Sequence, residues 1–246
     1  LPMIEAGVLD GVDVIYGIHL WTPFPYGTVA GNSGAVMAAA DDFELEIRGK
    51  GGHGGLPHKT IDSLVIGAHL TVNLQTIVSR SLNPIAPAVV TVGSLQAGKG
   101  FNVISENCLM KGTVRTFDSD TRELAKKRLE EIVEHTCQMF GAEYQFHYKQ
   151  GYPPVVNDLK ESERFREVAE RTFGAEAVLS PEPIMAAEDF ARYLERVPGC
   201  FMFVGAGGAG AEYAHHHPRF DIVEEAMKNA ARLFVEMTLD YLNAVR

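Results

Sequence analysis

"DDFELEIRGKGGHGG", residues 41–55, marks a change in the style of the chain. Phe43, Leu45 and Ile47 alternate with Glu44, Glu46 and Arg48, the period-two pattern of a strand with one dry and one wet face. The preceding stretch, "VDVIYGIHLWTPFPYG" (residues 12–27), reads differently. Positions 12–20 are mostly apolar, as expected of a strand buried on both faces, and Pro23 and Pro25 break it into a loop. Two strand styles so close together predict two kinds of sheet.

Downstream of residue 55 the half-wet style continues. A helix is expected from about 63 to 80, with Thr60 or Asp62 able to cap it, and strands at 89–95 and 108–117. A second helix, opened by Asp118 or Asp120, puts Ala125, Leu129, Ile132, Val133, Thr136 and Phe140 on one face and stops at Gly141. Tyr144, Phe146 and Tyr148 then alternate with Gln145, His147 and Lys149. Residues 42–151 thus read β-α-β-β-α-β, the ferredoxin-like split unit, with two helices over one sheet face. The free face or an edge helix is a candidate dimer surface.

The flanks are of α/β type. Helices are expected near 159–173, ending at Gly174, and near 186–196, ending before Pro198. "CFMFVGAGG" is a buried strand, and a last helix carries Ala226, Ala230, Leu233, Phe234, Met237 and Tyr241 on one side. The expected architecture is an α/β domain, residues 1–41 and 152–246, split by an inserted α+β domain at 42–151. The opening "LPMIEAGVLDG" reads as a helix already under way and closed by Gly11, so the chain is expected to be cut upstream.

A formal charge of -10 argues against a nucleic-acid surface, and no apolar run approaches the roughly 20 residues needed to cross a bilayer. Cys108, Cys137 and Cys200 are scattered and odd in number, which predicts no disulfide framework and a reducing, cytoplasmic setting.

Several segments hold groups suited to chemistry. "GAGGAG", residues 205–210, formally fits a dinucleotide loop, but Pro218 forbids the helix that must start at once. A loop delivering histidines is the better reading. "AHHHPRFD" sets His215, His216 and His217 before Pro218, and in an extended segment neighbouring side chains point opposite ways. A surface cluster and a metal site are both open on spacing alone; His19, also at a strand end, favours the ligand reading because imidazole suits zinc-like metals. His53 stands among four glycines, Asn102 follows a glycine turn, and Arg115 offers a fork for a carboxylate. Glu188 and Asp189 are accounted for by the first turn of the helix expected there. There is no H-E-x-x-H and no G-x-S-x-G elbow.

Taken together, "PMIEAGVLDGVDVIYGIHLW", "MAAADDFELEIRGKGGHGGLPH", "FNVISENCLMKGTVRTF", "AAEDFARYLERVPG" and "HHHPRFDIVEEA" resemble, in order and spacing, the dimetal amidohydrolases. These include hippurate hydrolase, N-acyl-amino-acid amidohydrolase and indoleacetyl-amino-acid hydrolase. The resemblance implies a zinc-peptidase-like catalytic domain with an inserted lid or dimerisation domain, and a homodimer formed through that lid. It implies metal-dependent hydrolysis of small N-acyl amino acids, with two divalent ions, manganese or zinc, with cobalt or nickel as alternatives. His19 would be a metal ligand, and His216, two places before Pro218, the histidine of the family's H-x-P motif. His53 would bind substrate or stabilise the oxyanion in the partner's site, while Asn102 and Arg115 would grip the substrate. The role of Glu188 stays open. The family's Gly-Cys-Gly-His-Asp and Pro-Ala-Glu-Glu segments, with further ligands and the general base, are not in this sequence, so the chain alone is expected to be inactive. The alternatives are a non-catalytic dimerisation or ligand-binding module, and an N-acetyl-diaminopimelate-type deacetylase.

Overall fold

The computed structural model describes residues 1–244, so the last two positions of the expected 152–246 segment lie outside the described residues. The chain divides into two compact units, Leu1–Met37 with Val155–Ile184 and Glu188–Arg246, and Ala38–Pro154 with Met185–Ala187.

In chain order the first unit supplies β1 (Ile15–Pro25), β2 (Val29–Ala30) and β3 (Gly34–Met37). The second unit follows with β4 (Ala39–Arg48), α1 (Ser63–Thr76), β5 (Ala88–Ala97), β6 (Asn107–Thr116), α2 (Ser119–Phe140) and β7 (Glu143–Tyr152). The chain then returns to the first unit with β8 (Val155–Asn157), α3 (Leu159–Phe173), β9 (Val178–Leu179), β10 (Gly199–Gly207) and α4 (Ala226–Ala244).

The second unit is an antiparallel sheet in the order β5-β6-β4-β7. The alternation of β4 decides its faces. Phe43, Leu45 and Ile47 are buried with Ile66, Leu70 and Leu74 of α1 and Leu129 and Val133 of α2. Glu44 faces outward and pairs with Lys111 at 2.6 Å, both about half exposed. The open sheet face carries this ion pair. Of the two caps expected for α1, Asp62 is the one used, accepting from the Leu64 and Val65 N–H groups. Asp118 caps α2 through the Thr121 N–H, and Gly141 closes it in the left-handed conformation at φ 70°. After Thr76 the expected helix to residue 80 widens into a π-turn, Ile77–Ser81.

The first unit is built on β10, all nine of whose residues are buried. It lies parallel to β1 and antiparallel to β2, and α3 and α4 contribute Phe165, Val168, Leu233 and Met237 to the core around it. β1 departs from expectation. It runs on through Pro23 to Pro25, only Gly17 is fully buried, and among the described residues it pairs with β10 alone. The helix expected at 186–196 shrinks to Ala191–Leu194. The cause is distant in sequence: the Ala186 carbonyl accepts from the Ala38 N–H at 2.9 Å, which commits that backbone to an extended path.

Candidate active site

The first unit gathers its aromatic and imidazole groups at the C-terminal end of β1. His19 and Trp21 stand two residues apart on one face of the strand, their rings edge-to-face at 5.2 Å. The chain leaving β10 brings His215 back to them. Its ring stacks on Trp21 at 4.5 Å, meets His19 edge-on at 5.2 Å and touches Phe220 at 4.9 Å.

Backbone chemistry assigns the protons. His19 Nδ1 lies 2.7 Å from the Leu20 carbonyl and His215 Nε2 lies 3.1 Å from the same oxygen. A carbonyl only accepts, so both nitrogens carry the proton. His215 Nδ1 is in turn 3.5 Å from the Thr22 hydroxyl. His215 is thus engaged at both nitrogens, whereas the Nε2 lone pair of His19 is left available. A ligating histidine that donates its other ring N–H to a carbonyl has this arrangement. Burial pushes the His215 pKa down, and the neighbouring His19 and His216 act in the same direction against the Leu20 hydrogen bond.

His216 is placed differently. It is exposed, it is the one non-glycine residue with positive φ (68°) among those described, and no ring contact joins it to His19. His217 stacks on Tyr213 at 4.4 Å and accepts from the Arg219 N–H. The three consecutive histidines thus have three different surroundings. Glu188 is not in a helix first turn, because that helix starts three residues later. Burial and then Asp189 push its carboxyl up, while the Phe190 N–H and the charge of His19 pull the other way.

Glycines at 205 and 207 have a use other than phosphate binding. A side chain on either would strike the carbonyl of Pro25 or of Thr22, so they allow β10 to lie against the end of β1. No helix follows them before Ala226. Among the described residues no three His, Cys, Asp or Glu side chains gather as a metal cluster.

In the second unit, Gly52–His53 pairs with Val103–Ile104 as a two-residue ribbon, and the Gly54 N–H donates to the Asn102 carbonyl at 2.8 Å. His53 and Asn102 therefore share one exposed tip. The Gly55 N–H donates to His53 Nδ1 at 3.0 Å, so a neutral His53 ring carries its proton on Nε2, free to donate outward. Arg115 is not with them. It lies at the far end of β6, eight residues from Asn107, which is roughly 27 Å at about 3.4 Å per residue. Its Nη1 donates to the Thr113 hydroxyl and, at 3.1 Å, to the Val114 carbonyl.

Comparison with known proteins adds the decisive observation: the model of peptidase family M20/M25/M40 matches residues 1–240. The chain belongs to that family. It is 46% identical over 242 residues to YhaA of Bacillus subtilis (strain 168), named as an amidohydrolase, covering 98% of this chain and 61% of that protein. It is 40% identical to the N-acetyl-L-cysteine deacetylase of the same organism, over 95% of this chain and 55% of that one. Among solved structures, the Bacillus subtilis YXEP protein, a dinuclear metal binding peptidase of the M20 family, superposes with a TM-score of 0.79 at 32% identity. That match covers 98% of this chain and 60% of that one. The chain thus spans about three fifths of the length of the curated relatives it matches. No helix among the described residues is long and apolar enough to cross a membrane.

Proposed function

We propose that the M20 protein represented by this chain hydrolyses the amide bond of small N-acyl amino acids, with two divalent metal ions as cofactors. The observation that carries this is His19, whose Nδ1–H is bound to the Leu20 carbonyl so that Nε2 is left for a cation. Manganese or zinc is the proposed metal, with cobalt and nickel as further candidates. His216, exposed and without a ring contact to His19, is the proposed second imidazole ligand by its spacing to Pro218. In this reading the first unit is the catalytic domain and the second an inserted lid.

The chain's own residues have defined tasks. The Nε2–H of His53 donates to the amide oxygen as that oxygen gains charge. Asn102 holds the substrate beside it, and the Arg115 guanidinium takes the carboxylate. The length of β6 between Arg115 and the His53 tip supports a homodimer, because one small substrate does not span roughly 27 Å. Two copies would let the His53 of one act on substrate held by the Arg115 of the other.

The test is hydrolysis of a panel of N-acetyl, N-benzoyl and indoleacetyl amino acids by the full-length protein after chelation and after each metal is restored. Release of free amino acid only with metal supports the reading. A metal-loaded protein that cleaves none of them, yet binds them, favours the non-catalytic module. The relative named as an N-acetyl-L-cysteine deacetylase makes acetyl substrates the first to try, with N-acetyl-diaminopimelate beside them.

A further inference from the structure

We infer that His215 is a positioning residue, which fixes the ring and the tautomer of His19 by sharing the Leu20 carbonyl with it. A carbonyl oxygen has two lone pairs, and here both are used by imidazole N–H groups, at 2.7 Å from His19 and 3.1 Å from His215. The His19 ring meets Trp21 and His215 edge-on, each at 5.2 Å, and these two stack on each other at 4.5 Å, so that the pair forms one wall beside it. His215 itself has little freedom. Trp21 stacks on it, Phe220 touches it, and the Thr22 hydroxyl sits at its second nitrogen. Held by these contacts and by its bond to the Leu20 carbonyl, it acts as a clamp.

The effect is to fix the tautomer of a neutral His19 ring, with the proton on Nδ1 and the lone pair on Nε2. Rotation of the His19 ring would break its 2.7 Å bond to the Leu20 carbonyl and its edge contacts with the stacked pair. Its value for turnover rests on the proposed role of His19. The tautomer does not, and the two are tested apart.

The first measurement needs no substitution. In the full-length protein labelled with 15N and 13C, hydrogen-bond couplings should run from both His19 Nδ1 and His215 Nε2 to the Leu20 carbonyl carbon. The second uses two variants, His215→Phe, which keeps a ring and removes the N–H, and His215→Gln, which keeps a donor and removes the ring. Ring 15N shifts should show one His19 tautomer in the wild type and a mixture in both variants. The kcat should fall by about 10- to 100-fold, the range for partners that orient a working histidine, with a smaller change in KM. A missing His215 coupling, or a His19 tautomer unchanged in both variants, overturns the inference and leaves the hydrolase reading intact. A changed tautomer with unchanged kcat overturns the positioning role. Absence of hydrolysis in the wild type counts against the function and not against the clamp.

Discussion

At the scale of single residues, Asp41 is a buried charge that ties the second unit together. It is 1% exposed and accepts from Arg122, from the Tyr148 hydroxyl at 2.8 Å and from the Gly151 N–H at 2.9 Å. Burial pushes its carboxyl up, but the hydrogen bonds from Arg122, Gly151 and Tyr148 together outweigh it and hold the pKa below the usual carboxylate value. Asp41→Asn strands a largely buried guanidinium, and urea denaturation should show a loss of about 3–5 kcal/mol at neutral pH. The sign of the pH dependence follows. A carboxyl depressed in the folded state contributes fully above its unfolded pKa of about 3.9 and loses that contribution as pH falls through the folded value. The stability gap between wild type and Asp41→Asn should therefore narrow below about pH 4. A gap that widens in acid would contradict the ion pair.

At the scale of elements, two positions report on how strand and helix are held. Gly112 of β6 lies under the Phe43 ring and beside the Thr91 carbonyl, so a methyl group there has no space. Gly112→Ala should cost about 1–3 kcal/mol in thermal or urea unfolding by forcing the strands apart. Asp118→Ala removes the cap bonded to the Thr121 N–H at 2.7 Å and should cost about 1 kcal/mol, visible as faster amide exchange in the first turn of α2. These elements were legible in the sequence because their causes are local. Alternation along Phe43, Leu45 and Ile47, an aspartate before an apolar face and a glycine after it are all read within a few residues. The helix expected at 186–196 was not legible, since what unwinds it is the Ala38 N–H, some 150 positions away. His215 was passed over for the same reason. Its partners Leu20, Trp21 and Thr22 are 193 or more residues distant, and nothing in "AHHHPRFD" distinguishes the clamped imidazole from the exposed one.

At the scale of the whole molecule, the separation of Arg115 from the His53 tip makes a prediction about subunits. His53→Ala and Arg115→Ala should each lower turnover by at least 10²-fold. Mixing the two after unfolding and refolding together should restore about a quarter of wild-type activity, because half the dimers are mixed and each mixed dimer has one site with both side chains. No recovery on mixing would mean that both groups serve one copy's site, against the strand geometry. Metal analysis on the same preparations separates loss of substrate contacts from loss of the ions.

The rung between β3 and β8 has a further consequence. Met37, where the chain leaves the first unit, is the register partner of Val155, where it returns. Excising residues 38–154 and closing the gap with an Asn-Gly hairpin turn would convert an excursion of more than a hundred residues into an ordinary two-residue reversal. The shortened chain would keep the Leu20 carbonyl and both its imidazoles while losing His53, Asn102 and Arg115, and so isolate the histidine cluster from the groups proposed to grip the substrate.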